Sequence, residues 1–384
     1  MRRAKQTMAR ATTDLIVSAN DAKQVRTAGV DTFPAGAGAD TLTVIDAAAR
    51  PPRVVATVEV ATSIVGPPQA VAISPDGGLA VVSATNRYDA DQRRLVFENH
   101  LQVVDLRTLP PKVAAHIDVG HHPQGLAFNR AGTLLLAATN GGTIAVLAVE
   151  AGGVRLVDHL QVSTGRLAGV TFTPNGRSAL VAQRDEQGVA VLDVDGMTVT
   201  DSGERVSTGV APYAIDVDAH GRWAVVGNVG LAGLGGGTTM RKGVLCGDAD
   251  SFTLIDVTRR PFRAVQHVTV PSIPEGVAIS PDGRWIAVLA MDGSNLPAGH
   301  RARRERGRLQ LFRIVDDDAE RMSDLPAGES AQGVVFTADS RYVLAQFYVE
   351  RRIALFDVNG GALVDTGTRI EVPGGPASLR AAPR

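Results

Sequence analysis

The chain has 384 residues, with 39 Lys and Arg against 40 Asp and Glu and a formal net charge of −1, so no global field draws it to nucleic acid or to an anionic membrane. Its single cysteine, Cys246, excludes an intrachain disulfide framework and a cysteine-built zinc cage, and reads as a chain of reducing cytosol. Hydrophobic residues make up 44% and aromatics only 4%, which suits a core of Val, Ala, Leu and Ile on thin, closely packed strands.

The chain starts with MRRAKQTMARATTDLIVSAND, a basic run whose LIV is too short for the roughly 7–15 apolar residues of a signal core. Residues 1–11 therefore read as a tail and the location as cytoplasmic. No stretch approaches the roughly 18 apolar residues of a transmembrane helix. Within residues 12–60, DLIVSAN, TLTVIDA and RVVATVEV read as three strands. From Gln69 onward one unit recurs six times, an apolar strand, a PDG-like turn and a second apolar strand: QAVAISPDGGLAVVSA, QGLAFNRAGTLLLAAT, AGVTFTPNGRSALVAQ, YAIDVDAHGRWAVVGN, EGVAISPDGRWIAVLA and QGVVFTADSRYVLAQF.

The turn residues Gly77, Gly132, Gly176, Gly221, Gly283 and Ser340 stand 55, 44, 45, 62 and 57 apart, a period of about 45 residues. A third strand follows each hairpin (LQVVDL, TIAVLAV, GVAVLDV, FTLIDV, LQLFRIV, RIALFDV), and a fourth follows in most units (KVAAHIDV, RLVDHLQV, RAVQHVTV, TRIEV). Each unit is thus a four-stranded antiparallel meander that cannot bury its own apolar face, the blade of a β-propeller. The C-terminal PGGPASLRAAPR has the form of an inner strand and stops where its turn would fall, so the next strand is DLIVSAN. The expectation is an all-β, seven-bladed β-propeller over residues 12–384. Residues 373–384 would supply the inner strand of the first blade, leaving no free sheet edge.

The succession of Pro or a small residue, x-G-V-A-x-S-P-D-G, an apolar strand ending x-x-T-N, then V-x-D, resembles YVTN-type repeats across nearly the whole chain. The tetrapeptide is echoed in VSAN (17–20), SATN (83–86) and AATN (137–140) and degraded in VAQR, VVGN and LAMD. The resemblance implies a seven-bladed propeller. It is shared by non-catalytic surface propellers and by the lactonase group that includes 6-phosphogluconolactonase-like and carboxymuconate-cyclising enzymes. The lactonase pattern sets a basic or His residue after the Pro that enters the inner strand. Here those positions hold Gln69, Gln124, Ala168, Tyr213, Glu275, Gln332 and Ala377.

Measured against the period, blades 1, 2, 5 and 6 carry about 20, 10, 17 and 12 extra residues. All lie between second and third strands, at 21–40, 87–100, 229–250 and 292–308. These loops share one face. In ring order five, six, seven, one, two they form an arc, with blades 3 and 4 low, and so predict a partly lidded, side-opening pocket over the channel.

Regular residues read as structural. Asp46, Asp105, Asp193, Asp256 and Asp357 recur in the third strands, where a carboxylate accepts turn N–H groups, and Asp76 and Asp282 do the same in the PDG turns. Asn20, Asn86, Asn140 and Asn228 end second strands, where an amide caps a turn or bonds a polar ligand. The adjacent His121 and His122 lack the face-matched spacing of zinc ligands, and too few carboxylates converge for calcium, so no metal and no cofactor is expected. GLAGLGGGTT lacks the Lys-Ser or Lys-Thr of a phosphate loop and reads as a mobile lid, while RARRERGR (301–308) reads as a solvated charged loop. There is no G-x-S-x-G elbow and no H-E-x-x-H.

Residues that break the repeat at the channel are the candidates for chemistry. Glu275 is the sole carboxylate and Tyr213 the sole phenol among the entry positions; His122, Arg166 and Arg184 lie one step away or at second-strand ends. In this reading Glu275 is acid or base, and His122 and Tyr213 carry or orient protons. Arg166 and Arg184 hold negative charge, with Gln69, Gln124, Gln332, Asn140, Asn228 and Asp292 lining the substrate. The expectation is a metal-free, lactonase-like enzyme that hydrolyses or isomerises a small polar molecule such as a lactone or carboxylate. The alternative is a non-catalytic scaffold that binds a protein or ligand on the insertion face.

Overall fold

Six of the seven blades grow from a turn that needs one left-handed residue. In the structure, a computed structural model, Gly77, Gly132, Gly176, Gly221 and Gly283 take φ of 68, 70, 70, 69 and 69°, and Ser340 follows at 59°, a region where a side chain is disfavoured. The polar residue opening the turn completes it. Ser74 Oγ donates to Asp76 Oδ1 (2.6 Å) and accepts from the Leu79 amide (2.9 Å), and Ser280 and Asp282 repeat the arrangement. Where the motif degrades, Asn129 Oδ1 accepts the Thr133 and Leu134 amides, and Asp218 Oδ2 those of Arg222 and Trp223.

The structure describes residues 14–108, 110–151, 153–230, 240–241, 244–245 and 249–383. The tail 1–11, Cys246 and most of GLAGLGGGTT lie outside the described residues. Seven antiparallel four-stranded sheets form the ring. Blade 1 runs, from the axis outward, Gly375–Ala381, Leu15–Asp21, Thr41–Asp46 and Arg53–Glu59. Blade 2 comprises Val71–Ile73, Leu79–Val82, His100–Asp105 and Lys112–Asp118; blade 3 Pro123–Phe128, Leu134–Thr139, Thr143–Glu150 and Gly153–Gln161; blade 4 Leu167–Phe172, Ser178–Gln183, Gly188–Asp195 and Thr198–Ser207. Blade 5 comprises Pro212–Val217, Trp223–Asn228, Ser251–Asp256 and Arg263–Thr269; blade 6 Gly276–Ile279, Trp285–Ala290, Arg308–Val315 and Asp318–Pro326; blade 7 Ala331–Phe336, Tyr342–Phe347, Arg352–Asn359 and Ala362–Glu371. The two ends of the chain close the ring within blade 1, in antiparallel register with Val17 opposite Arg380 and Ser18 opposite Leu379.

The core lies between blades. Leu180 and Val191 of blade 4 pack with Ile215, Val226 and Ile255 of blade 5, and the Phe252 and Phe312 rings of blades 5 and 6 meet edge-on with centroids 5.0 Å apart. Second strands such as Leu134–Thr139 are buried along their whole length, whereas fourth strands such as Lys112–Asp118 alternate exposed and half-buried residues. At the axis the strands crowd: a Cβ on Gly169 would lie 2.2 Å from Gln69 Oε1 and 2.6 Å from the Tyr213 carbonyl. Gln69 itself reaches from blade 2 to blade 5, donating Nε2 to the Ile215 carbonyl (2.5 Å) and accepting the Ile215 amide at Oε1 (3.0 Å). That amide clasps opposite sides of the ring across the channel.

The insertions of blades 6, 1 and 2 touch in succession. Those of blades 1, 2 and 5 fold back as short hairpins: Val25–Thr27 with Val30–Thr32, Asn86–Asp89 with Arg94–Phe97, and Met240–Arg241 with Val244–Leu245. Phe33 stacks on Tyr88 at 4.1 Å, joining insertions 1 and 2. Above blade 7, the Ala298 amide donates to the Ala28 carbonyl (3.1 Å), joining insertions 6 and 1. The charged loop of blade 6 is more than solvated. Arg303 pairs with Glu329 (2.9 Å), Arg304 with Asp292 (3.2 Å) and Arg308 with Asp324 (2.7 Å), because its own blade and the next supply carboxylates that spacing alone does not reveal.

Gln69→Ala leaves the fully buried Ile215 amide and carbonyl unpaired at the axis, so denaturant unfolding is expected to show a loss of about 2–4 kcal/mol.

Candidate functional site

Three of the five third-strand aspartates behave as turn caps. Asp46, Asp105 and Asp256 accept the amides of Ala48, Arg107 and Thr258. The other two serve arginines instead: Asp193 takes Arg260 Nη1 at 2.7 Å and Asp357 takes Arg341 Nη2 at 3.5 Å. Among the described residues no group of three or more His, Cys, Asp or Glu side chains is placed to hold a metal.

Five neighbouring blades bring the irregular residues together at the insertion face. Glu275 enters the inner strand of blade 6, Tyr213 lies in that of blade 5 and Gln332 in that of blade 7. Arg184 follows the second strand of blade 4, and Arg26 stands in the insertion of blade 1. The Arg184 guanidinium lies 4.3 Å over the Tyr213 ring, and its Nη1 is buried with no partner among the described residues. Burial pushes the Glu275 carboxyl up from 4.5 to about 7, opposed chiefly by the charges of Arg184 and Arg26. Gln332 is fully buried, and its Oε1 has no partner among the described residues. Burial, then the Glu275 charge, raises the Tyr213 phenol far above its usual range, so it remains a donor. A carboxyl that titrates near neutrality, beside a cation with a free N–H and a permanently protonated phenol, can exchange a proton and stabilise a developing oxyanion.

Arg166 lies beside this group but is engaged. It chelates Asp185, with Nε at 2.9 Å from Oδ2 and Nη2 at 2.7 Å from Oδ1, and holds that carboxyl below its usual range. His122 is 7% exposed, bonds the Glu98 carbonyl at Nδ1 (2.8 Å) and meets the Phe97 ring edge-on. Burial lowers its pKa, so it is neutral, and no described interaction joins it to Glu275. Gln69 is held by the axial clasp. Gln124 Nε2 has one long bond to the Pro123 carbonyl, at 3.4 Å. Asn228 donates to Ser251 and Thr253 hydroxyls, as Asn20 does to Thr41 and Thr43. The Nδ2 and Oδ1 of Asn86 are both buried without partners among the described residues, Asn140 is exposed at its strand end, and Asp292 pairs with Arg304.

Arg26 is the residue that sequence reasoning missed. It sits in an insertion, where no other blade offers an aligned position, so periodicity could not mark it. In the fold it chelates Asp31 at 2.7 and 2.9 Å and lies over the Tyr348 ring, close enough for its charge to reach Glu275.

At the opposite mouth of the channel, two cavities of about 70 and 90 Å³ flank an ion pair between Arg380 and Asp216 (3.4 Å). The Gln69 clasp stands between these cavities and the Glu275 group.

No family model matches the sequence, and no curated protein matches it. Solved structures do share its fold. A presumed 6-phosphogluconolactonase of Bacteroides uniformis ATCC 8492 aligns over 97% of this chain and 100% of its own, with a TM-score of 0.68 and 15% identity. The periplasmic gluconolactonase of Pseudomonas aeruginosa aligns over 96% and 99%, with a TM-score of 0.66 and 17% identity. Kuenenia stuttgartiensis hydrazine synthase aligns over 84% and 94%, with a TM-score of 0.61 and 17% identity. Likeness at these identities shows the fold alone.

Because its folded value lies above its ordinary one, Glu275 contributes stability that is complete below pH 4.5 and lost as pH rises through about 7. Glu275→Gln is therefore expected to leave the Tm unchanged near pH ~4 and to raise it at pH ~9, measured by calorimetry at both.

Proposed function

We propose that this chain is a YVTN-type propeller of the lactonase-like group that opens a small lactone at the insertion face without a metal. The observation that supports this is the Glu275 carboxyl, raised to about 7 beside Arg184. The likeness to propellers named as lactonases supports the choice of substrate class. In this reading Glu275 takes a proton from a water that attacks the lactone carbonyl. Arg184 Nη1 receives the tetrahedral oxyanion, and the Tyr213 hydroxyl donates toward it. Ring opening breaks the acyl C–O bond, and the proton held by Glu275 passes to the departing alkoxide. Gln332 orients the carboxylate. Arg26 faces the product's carboxylate from the loop above.

A second reading is a non-catalytic platform. It is favoured by apolar side chains left open on the insertions, Val30 at 53% and Phe97 at 46% exposure, which suit the apolar centre of a protein interface.

Proton release from a panel of lactones tests the first reading. The wild-type kcat/KM is expected to rise with pH through about 7, and Glu275→Gln to lower kcat by about 10²–10⁴ with that limb abolished. Replacing Arg184 with Gln is expected to lower kcat by about 10²–10³ while KM changes little. A stoichiometric protein partner from the source cell, with no lactone turned over, supports the platform instead.

A further inference from the structure

We propose that the channel mouth opposite the insertion loops is a second binding site, for a short dicarboxylate, built from Arg380, Arg130 and the hydroxyl of Thr171. The first of the two cavities there, about 70 Å³, is lined by all three residues, a space several waters wide. Arg380 belongs to the inner strand of blade 1 and crosses to Asp216 on the inner strand of blade 5, its side chain only 17% exposed. Of its five donors one is engaged among the described residues, and that bond is long at 3.4 Å. Asp216 also accepts the Ile279 amide at 3.1 Å. Burial pushes its carboxyl up against the opposing charge of Arg380, which weakens its hold on the guanidinium.

Thr171 is 5% exposed, and its hydroxyl has no hydrogen-bond partner among the described residues although it borders the cavity. Its neighbour Thr173 shows the contrast, bonding Asn175 Oδ1 at 2.8 Å and the Ser178 carbonyl at 3.0 Å. Arg130, exposed at the rim, makes no ion pair or hydrogen bond among the described residues. Two guanidinium groups against one carboxylate leave an excess positive charge. The Phe128 and Phe172 walls lower the local dielectric, so that charge acts strongly. A planar guanidinium fork matches a carboxylate bidentately, and two forks at one small cavity select two carboxylates on a short spacer. The Gln69 clasp separates this mouth from Glu275, so its ligand is not the one processed at the insertion face.

Calorimetric titration with malonate, at constant ionic strength and with acetate as comparison, tests the proposal on the full chain. Malonate is expected to bind once per chain and more tightly than acetate. Arg130→Ala should weaken it about tenfold, Thr171→Val severalfold, and neither should shift the unliganded Tm. Asp216→Asn should tighten it by freeing Arg380, and Glu275→Gln should leave it unchanged. Absence of saturable malonate binding overturns the site, as does binding indifferent to Arg130 and Thr171. Loss of binding in Glu275→Gln would assign malonate to the insertion face and equally refute it.

Discussion

Seven inner strands meet at one axis, and each turns a row of backbone N–H and C=O groups toward a channel where no further strand can pair with them. A buried peptide group without a partner is costly, so the rest of the centre is arranged around this shortage. Neighbouring inner strands supply part of the answer, the Leu126 amide donating to the Gln69 carbonyl and the Leu379 amide to the Pro68 carbonyl. Side-chain amides supply more: Gln69 answers both groups of Ile215, and Gln346 accepts the Gly333 amide while donating to the Ser378 carbonyl. The small residues at the next position follow from the same crowding, since Gly333 has Gln346 Oε1 within 2.6 Å of where a Cβ would stand.

This division of labour separates structure from chemistry. Polar channel residues whose atoms are all matched, Gln69 and Gln346 above all, hold the axis together. Those with atoms unmatched among the described residues, such as Arg184, Gln332 and Asn86 at the insertion face and Thr171 at the far mouth, are where a ligand has something to bond. One strand serves both ends. Within Pro212–Val217, Tyr213 faces the Glu275 group, Ile215 is clasped by Gln69, and Asp216 faces the opposite mouth.

Much of this was legible from residues. The positive-φ turn position was marked by glycine five times, and the insertions stood out against the period of the repeat. Asp46, Asp105 and Asp256 cap turns as their recurrence suggested. Asp193 and Asp357 share the same offset but find arginines, because Arg260 comes from the neighbouring blade and Arg341 from across the hairpin. Arg166 and Arg184 looked equivalent as irregular cations near the channel; the first is closed by Asp185, and the Nη1 of the second has no partner among the described residues. His122 was marked by its place one step from the inner-strand entry positions, and the Phe97 hairpin edge buries it away from Glu275.

The repeat determined the blades, their number and the face that carries the loops, because turn stereochemistry and alternation of buried strands are local properties written every 45 residues or so. Only the folded ring decided which polar residues are free. Whether Gln69 meets a ligand or Ile215, and whether Arg26 reaches Glu275, depends on groups brought together from distant blades. A hydrogen bond is satisfied by whatever stands within about 3 Å, and across a closed channel that distance bears no relation to separation along the chain.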